Sequence, residues 1–420
     1  MSRPGHTVMP DLLSRIAQEY GTPAYVYELA AVSAAAAMLT ADLPAPSGLM
    51  YSLKANPHPA VVGRLVTGGN GAEVSSPGEL AAALDAGCPP EKIMYTGPGK
   101  DFQHLVGALT AGVRCFSVES LVDRDRLADA CHMLGVHAEY LVRLNTPRGS
   151  ARGALRMTGR PTAFGTDLAN RQEIAALLRA RGRVRPVGTH TFSATNVDEP
   201  AALLQEFRSA LAAVRTVCGA AEFAPRLLAL GGGFPAPMAR PGALARHPDL
   251  AAGLKSELDT AFPGWRRGRP HILFESGRYL TATAGTLLTR ILDVKASGGR
   301  TFVVLDAGVH VLGGMTGLGR LMAPSAQPFT VGGSGAGEET AVTLAGPLCT
   351  PLDVLNASAR LVDPRPGQLL AVPNTGAYGP TASLLGFLSH TGPVEVVVEG
   401  ARIHSARRLV ISSEKVAPLV

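Results

Sequence analysis

Three short stretches carry side chains that could act on a carbonyl compound or hold an anion. Lys54 closes the apolar run in GLMYSLKANPHP, residues 48–59, just before a loop with Asn56 and two prolines. A lysine at a strand end either snorkels its amine into solvent or holds it for covalent chemistry with a carbonyl. The triple glycine in GGGF, residues 231–234, leaves backbone N–H groups unobstructed. That suits the close approach of a phosphate, and it equally suits a bare structural turn. ESGR, residues 275–278, adds a second turn through Gly277 and Arg278 and sets Glu275 at the end of an apolar run. This carboxylate either caps a surface or accepts a hydrogen from a cationic group in a cleft.

What these groups can do depends on the elements that position them. Residues 48–285 repeat a β-rich apolar run, a polar or glycine-rich loop and an amphipathic stretch. Strands are expected at 49–54, 72–76, 92–97, 114–119, 139–145, 186–192, 227–232 and 271–276. Between them lie helical stretches such as PGELAAALDAG, with proline at its start and glycine at its end. Eight strands alternating with helices predict an α/β fold, a (β/α)8 TIM barrel, with a doubly wound open sheet as the competing arrangement. In such a barrel, working groups collect at the C-terminal ends of strands and phosphate binds after the last two. Lys54, GGGF and ESGR close the first, seventh and eighth expected strands.

Beyond residue 285 the texture is β-rich, as in RTFVVLDAGV and VEVVVEGARIHSARRLV, and predicts a second, all-β domain. Within it, TPLDVLNASARL reads as a helical or irregular turn and GGSGAGEE (332–339) as a flexible surface loop. TPAYVYE (22–28) is a strand without a helix of its own. The expected organisation is an N-terminal segment, 1–30, contributing to the β domain, a cofactor-binding barrel, 31–284, and a C-terminal β domain, 285–420.

The 420 residues are 46% hydrophobic and 17% charged, which predicts a large core and little disorder. The net charge of +6 comes from dispersed arginines and aromatic residues are only 5%, a poor basis for nucleic-acid binding. Five scattered cysteines without metal-ligand spacing predict reduced thiols in the cytoplasm, and no apolar run suits a membrane span or a signal peptide. No metal, nucleic-acid or membrane partner is expected.

A lysine amine, a phosphate cradle and a glutamate together suit pyridoxal 5′-phosphate, with the carboxylate keeping the pyridine nitrogen protonated. At this point the chain resembles the fold-type III decarboxylases that use this cofactor. That family includes the diaminopimelate, ornithine and arginine decarboxylases, with an alanine-racemase-like barrel and a β domain. YSLKAN resembles the family's Schiff-base motif and implies that Lys54 carries the cofactor. AEVSSPGEL places Glu73 and Glu79 at acidic positions near it, and LVRLN supplies Arg143 at the family's arginine position. LALGGGFP and FESGR resemble the phosphate loop (Gly231, Gly232, Gly233, with Gly277 and Arg278) and the pyridine-binding Glu275. GAYG resembles the phosphate-binding tyrosine motif, implying Tyr378. GPLCTPLD resembles the motif whose cysteine enters the partner subunit's active site, implying Cys349 as proton donor and a homodimer with shared sites.

Three departures from the family pattern carry information. HTFSATN places Phe192 where the family stacks a histidine on the cofactor ring, and Thr195 where it has a phosphate-binding serine. Thr350 follows Cys349 where well-known members carry Asp or Glu for the distal ammonium of a diamino acid, leaving Asp353 as the nearby carboxylate. AFG at 163–165 lacks a lysine that the family carries on the barrel rim. A neutral threonine does not offset the desolvation of an ammonium as a carboxylate does. The substrate is therefore expected to be an L-α-amino acid or conjugate with a neutral or anionic far end: a glutamyl-type side chain, an amide or ester, or a carrier-linked aminoacyl group. Lysine, ornithine and diaminopimelate are expected to be poor substrates. Two alternatives stand beside this carboxy-lyase, an amino-acid racemase on the same fold and a non-catalytic regulatory homologue. Glu275 in place of a cation argues against the first, and retention of Lys54, Cys349 and Tyr378 against the second.

Overall fold

The computed structural model describes residues 8–146, 155–156, 162–192, 194–313, 325–333 and 337–415. They divide into two compact units. One gathers the stretch up to Ala31, the segment Pro237–Ala243 and the chain from Thr281 onward; the other spans Val32–Ala236 and Leu244–Leu280.

The chain enters through helix α1, Pro10–Tyr20, and strand β1, Ala24–Glu28. Helix α2, Leu29–Asp42, leads to the eight strands of the second unit: β2 Gly48–Ser52, β3 Gly71–Val74, β4 Ile93–Tyr95, β5 Cys115–Val118, β6 Ala138–Asn145, β7 Val184–Thr191, β8 Leu227–Ala229 and β9 His271–Ser276. All pair in parallel, in the ring order β5-β4-β3-β2-β9-β8-β7-β6, and β6 closes back onto β5. This is the expected (β/α)8 barrel. Strands covered on both faces read as unbroken apolar runs, which is why every one of them is visible in the sequence. Met50, Met94, Leu141, Val187 and Ala229, each from a different strand, pack into one buried cluster. Helix α3, Pro59–Thr67, and helix α4, Pro77–Asp85, both begin on proline, where no intrahelical N–H is needed.

The other unit is mostly sheet. Besides β1 and the two-residue strand Phe329–Thr330, its strands are β10 Gly285–Ser297, β11 Arg300–Leu305, β12 Glu339–Ala345, β13 Val354–Val362, β14 Leu369–Pro373, β15 Val394–Glu399 and β16 Arg402–Arg408. They run in the order β13-β12-β11-β10-β1-β15-β16, with β14 also paired to β10. β1 is antiparallel to β10 and parallel to β15. The unit is not purely β, because Leu12, Leu13 and Ile16 of α1 pack against Val26, Leu288 and Val396.

TPLDVLNASARL departs from its expected irregular turn. Only its first residues turn; Val354–Val362 is a strand, paired antiparallel with β12. Cross-strand pairing supplies the hydrogen bonds that the local sequence does not advertise. Of GGSGAGEE, Gly332 and Gly333 sit in exposed backbone with positive φ, and residues 334–336 lie outside the described set.

Candidate active site

Lys54 lies in a one-turn 3-10 segment, Leu53–Ala55, directly after β2. The loop beyond it is tied by its own residues. The Tyr51 hydroxyl donates to Asn56 O at 2.6 Å, Asn56 Oδ1 accepts from His58 N at 3.0 Å, and His58 Nδ1 caps α3 by accepting from Ala60 N at 3.2 Å. The fixed loop leaves the Lys54 side chain 41% exposed, with Nζ 3.3 Å from Glu73 Oε2 and 5.3 Å from the centroid of the Phe192 ring. Glu73 is only 3% exposed and reaches Lys54 because β2 and β3 pair with Ser52 opposite Glu73. Burial alone raises the Glu73 carboxyl. The Lys54 ammonium and the Ser52 and Thr96 hydroxyls, with a smaller influence of His190, outweigh burial and hold it down at about 2. The Thr96 hydroxyl donates to Glu73 Oε1 at 2.5 Å.

Glu79, the second acidic residue of that motif, serves the helix instead. Its N–H is capped by Ser76 Oγ at 3.2 Å, and its Oε2 accepts from Ser75 N at 2.7 Å. Together the two bonds satisfy backbone N–H groups at the start of α4.

The glycine turn follows β8 and lies against β9. A Cβ on Gly232 would sit 2.2 Å from Glu275 O, so the backbone of β9 leaves no room for a side chain there. Strand packing by itself therefore demands glycine at this position. Gly231 lies against the Phe192 ring, and Gly233 O accepts from Val197 N at 2.9 Å, which brings the segment of Thr195 alongside. Thr195 itself is half-buried and pairs with Leu155 in a two-residue bridge. Ser193, between them, lies outside the described residues. Gly277 packs against the Lys54 turn, 2.7 Å separating a Cβ there from Ala55 Cβ, and the half-buried Arg278 opens the short helix Arg278–Thr281.

Glu275 is 1% exposed on β9, and its Oε1 lies 3.0 Å from His190 Nε2. The two atoms are in ion-pair range but off the line of a hydrogen bond, and neither has an aligned partner among the described residues. His190 was not singled out from the sequence. The signal was its place two residues before Phe192, the spacing at which an extended chain turns two side chains to the same side.

Arg143 belongs to a neighbouring buried group. Its Nη1 donates to Glu119 Oε1 at 2.9 Å, and its guanidinium lies 4.8 Å from the centroid of the Phe164 ring. Glu119 Oε2 accepts the Gly165 N–H as well, so AFG is gathered onto the arginine.

In the mostly-sheet unit, Cys349, Thr350 and Asp353 share one tight turn between β12 and β13. Cys349 is exposed, and Thr350 Oγ1 accepts from Leu352 N at 3.3 Å. Asp353 is 2% exposed and both its oxygens are engaged, Oδ1 by Val309 N at 2.7 Å and Oδ2 by Leu348 N at 2.8 Å. Burial pushes its carboxyl above the ordinary aspartate value despite these N–H groups and the nearby His390. Tyr378 is half-buried in a different loop, at a left-handed φ of 53° that is costly for an aromatic residue.

Residues 29–282 match the family model described as the pyridoxal-binding domain of the pyridoxal-dependent decarboxylases. The chain belongs to that family. The L-glutamyl-(BtrI acyl-carrier protein) decarboxylase of Niallia circulans is 29% identical over 405 residues, 94% of this chain and 93% of that protein. The diaminopimelate decarboxylase of Pseudomonas aeruginosa is 29% identical over 403 residues, 94% of this chain and 92% of that protein. Among solved structures, AQ1208 from Aquifex aeolicus superposes with a TM-score of 0.81 at 26% identity, over 96% of this chain and 93% of that one.

The cofactor of this family is pyridoxal 5′-phosphate, and the residues present fit it. Glu275 offers a buried carboxylate oxygen with no aligned donor among the described residues, which suits the protonated nitrogen of a pyridine ring. Lys54 offers an accessible amine in the same barrel mouth.

Proposed function

We propose that this carboxy-lyase removes the α-carboxylate from an amino acid held as a conjugate, the best-supported case being an L-glutamyl group on a carrier protein. In this reading Lys54 holds the cofactor, and Phe192 covers the ring face. Gly231–Gly233, Gly277, Arg278, Thr195 and Tyr378 hold the phosphate, and Arg143 lines the cofactor pocket. The observation that carries it is the Lys54–Glu73–Glu275 group, an accessible amine and two buried carboxylates at adjacent strand ends of one barrel.

Bound pyridoxal phosphate supplies a sink for the electron pair left on Cα when carbon dioxide departs. Glu275 keeps a proton on the ring nitrogen so that the sink stays electron-poor. Glu73 fixes the position of Lys54 Nζ, the atom that would carry the cofactor, at the barrel mouth. Cys349 of a second copy of the chain delivers a proton to Cα and recovers it from solvent, in a cytoplasmic homodimer with shared sites. The dimer is part of the proposal.

Substrate choice rests on the Cys349 turn. Asp353 already has both oxygens on backbone N–H groups, so its work is to shape the turn. Thr350 is left to face the far end of a substrate, and it offers no charge for a distal ammonium. The relative from Niallia circulans is named for a glutamyl group on an acyl-carrier protein, which fits such a pocket. Carbon dioxide release is the test, screened over free amino acids and over L-glutamyl and other aminoacyl groups on carrier proteins. Release from the glutamyl carrier, with little from lysine, ornithine or diaminopimelate, is expected. Efficient release from the free diamino acids overturns the substrate reading, and inversion at Cα without carbon dioxide overturns decarboxylation itself.

A further inference from the structure

His190 lies inside the barrel, where it contacts strands that are not its neighbours. β6 and β8 flank β7 in the ring, yet His190 Nδ1 lies 2.8 Å from Ser117 Oγ on β5 and Nε2 lies 3.0 Å from Glu275 Oε1 on β9. These contacts cross the interior. All three residues are at most 1% exposed. Buried polar atoms are costly when unmatched, and neither His190 Nε2 nor Glu275 Oε1 has an aligned hydrogen-bond partner among the described residues, although the two lie 3.0 Å apart.

We propose that His190 is a positioning residue for the cofactor's ring nitrogen: Ser117 fixes its Nδ1, and its Nε2 edge, 3.0 Å from Glu275 Oε1, holds the Glu275 carboxylate in place. The inference rests on the reading of Glu275 as the partner of that nitrogen. A serine hydroxyl donating to Nδ1 leaves the ring proton on Nε2, the tautomer that can face a carboxylate. An acceptor in that position would repel the carboxylate. Phe192, two residues on, presents a ring that cannot ionise.

The test separates the ring nitrogen from everything else that the cofactor touches. The full chain, stripped of cofactor, is titrated with pyridoxal 5′-phosphate and with its 1-deaza analogue, which carries carbon in place of the ring nitrogen. The natural cofactor is expected to bind about 10- to 100-fold more tightly to the wild type. His190→Leu should bring that ratio to within about two-fold by weakening the natural cofactor alone, and His190→Gln, whose amide still donates, should retain most of it. A drop in both affinities with the ratio unchanged overturns the proposal, because that is what a merely structural histidine would do. Glu275→Gln distinguishes the two levels of the argument. If it leaves the ratio intact, the reading of Glu275 fails; if it abolishes the ratio while His190→Leu does not, only this inference fails. Should His190→Leu not fold, 15N NMR of the wild-type imidazole decides: a proton on Nε2 at neutral pH supports the proposal, and a proton confined to Nδ1 overturns it.

Discussion

Glu73 and Asp353 are buried to the same degree, 3% and 2% exposed, and hold their protons in opposite ways. Burial raises both. Around Glu73 an ammonium at 3.3 Å, two hydroxyls and an imidazole more than offset it, and the carboxyl falls to about 2. Around Asp353 the opposing groups are two backbone N–H donors and the charge of His390, and the carboxyl stays above its ordinary value. An ammonium at 3.3 Å decides the sign at Glu73, where two N–H dipoles and the lesser influence of His390 do not at Asp353. The barrel mouth is built to keep charge, and the turn of Cys349 is built to keep shape.

Removing the cation should break this contrast most completely. Lys54→Ala should leave no measurable turnover and no covalently held cofactor, and it should let the Glu73 carboxyl rise towards that of Asp353. Borohydride reduction of the wild type followed by peptide mapping should place the label on Lys54; a label on another lysine refutes the assignment. The two regions should also complement each other in trans. Mixing Lys54→Ala with Cys349→Ala subunits should return about a quarter of wild-type activity, since half the dimers then carry one intact site. Subunits that exchange without recovering activity would rule out a shared site.

Charge can be moved into the shaped turn. Thr350→Asp or Thr350→Glu should improve turnover of free ornithine or lysine by about 30- to 150-fold, the worth of one charge-assisted contact. No gain would show that Thr350 does not face the substrate. Asp353→Asn is a smaller perturbation. An amide has one acceptor oxygen, so one of the two N–H groups loses its partner, at about 1–3 kcal/mol in unfolding experiments. Turnover should fall while borohydride labelling of Lys54 is unaffected. Loss of the label instead would tie Asp353 to the cofactor.

The smallest effects are those of mild acid on the cofactor-free chain, and they should run in opposite directions. The folded Glu73 carboxyl lies below its unfolded value of 4.5, so its contribution to stability is full above that pH and is lost as pH falls towards about 2. The folded Asp353 carboxyl lies above its unfolded value of 3.8, so its contribution is greatest below that pH and is lost as pH rises through the folded value. Amide exchange at Leu348 and Val309 against that at Thr96 and its neighbours, followed from neutral pH downward, would reveal the difference. Parallel behaviour at both places would sink it.

What the sequence disclosed follows from how each feature is encoded. The barrel strands were legible because a strand covered on both faces is an apolar run, and its polar C-terminal end marks the mouth where Lys54, Glu73 and Glu275 stand. The partners of His190 were not legible. Ser117 and Glu275 lie on strands two places away on either side, and only barrel closure brings them together. The engagement of Asp353 was hidden for another reason, since its partners are backbone N–H groups, which every sequence supplies everywhere. The segment Pro237–Ala243 is similar. It groups with the sheet unit, where the Asn374 side chain donates to Arg240 O and Gly242 O at 2.7 and 3.0 Å, and nothing in its composition marks it.

The pairing of β1 has a consequence for the order in which the protein can be made. β1 is buried along its whole length between β10 and β15, and β15 starts only at Val394. At roughly 5–20 residues per second, the ribosome delivers that partner on the order of tens of seconds after β1 has emerged. The barrel strands are all synthesised in between. During this interval AYVYE waits as an exposed apolar edge, so a chain stalled before Val394 leaves it without a neighbour on that side, however well the barrel has formed.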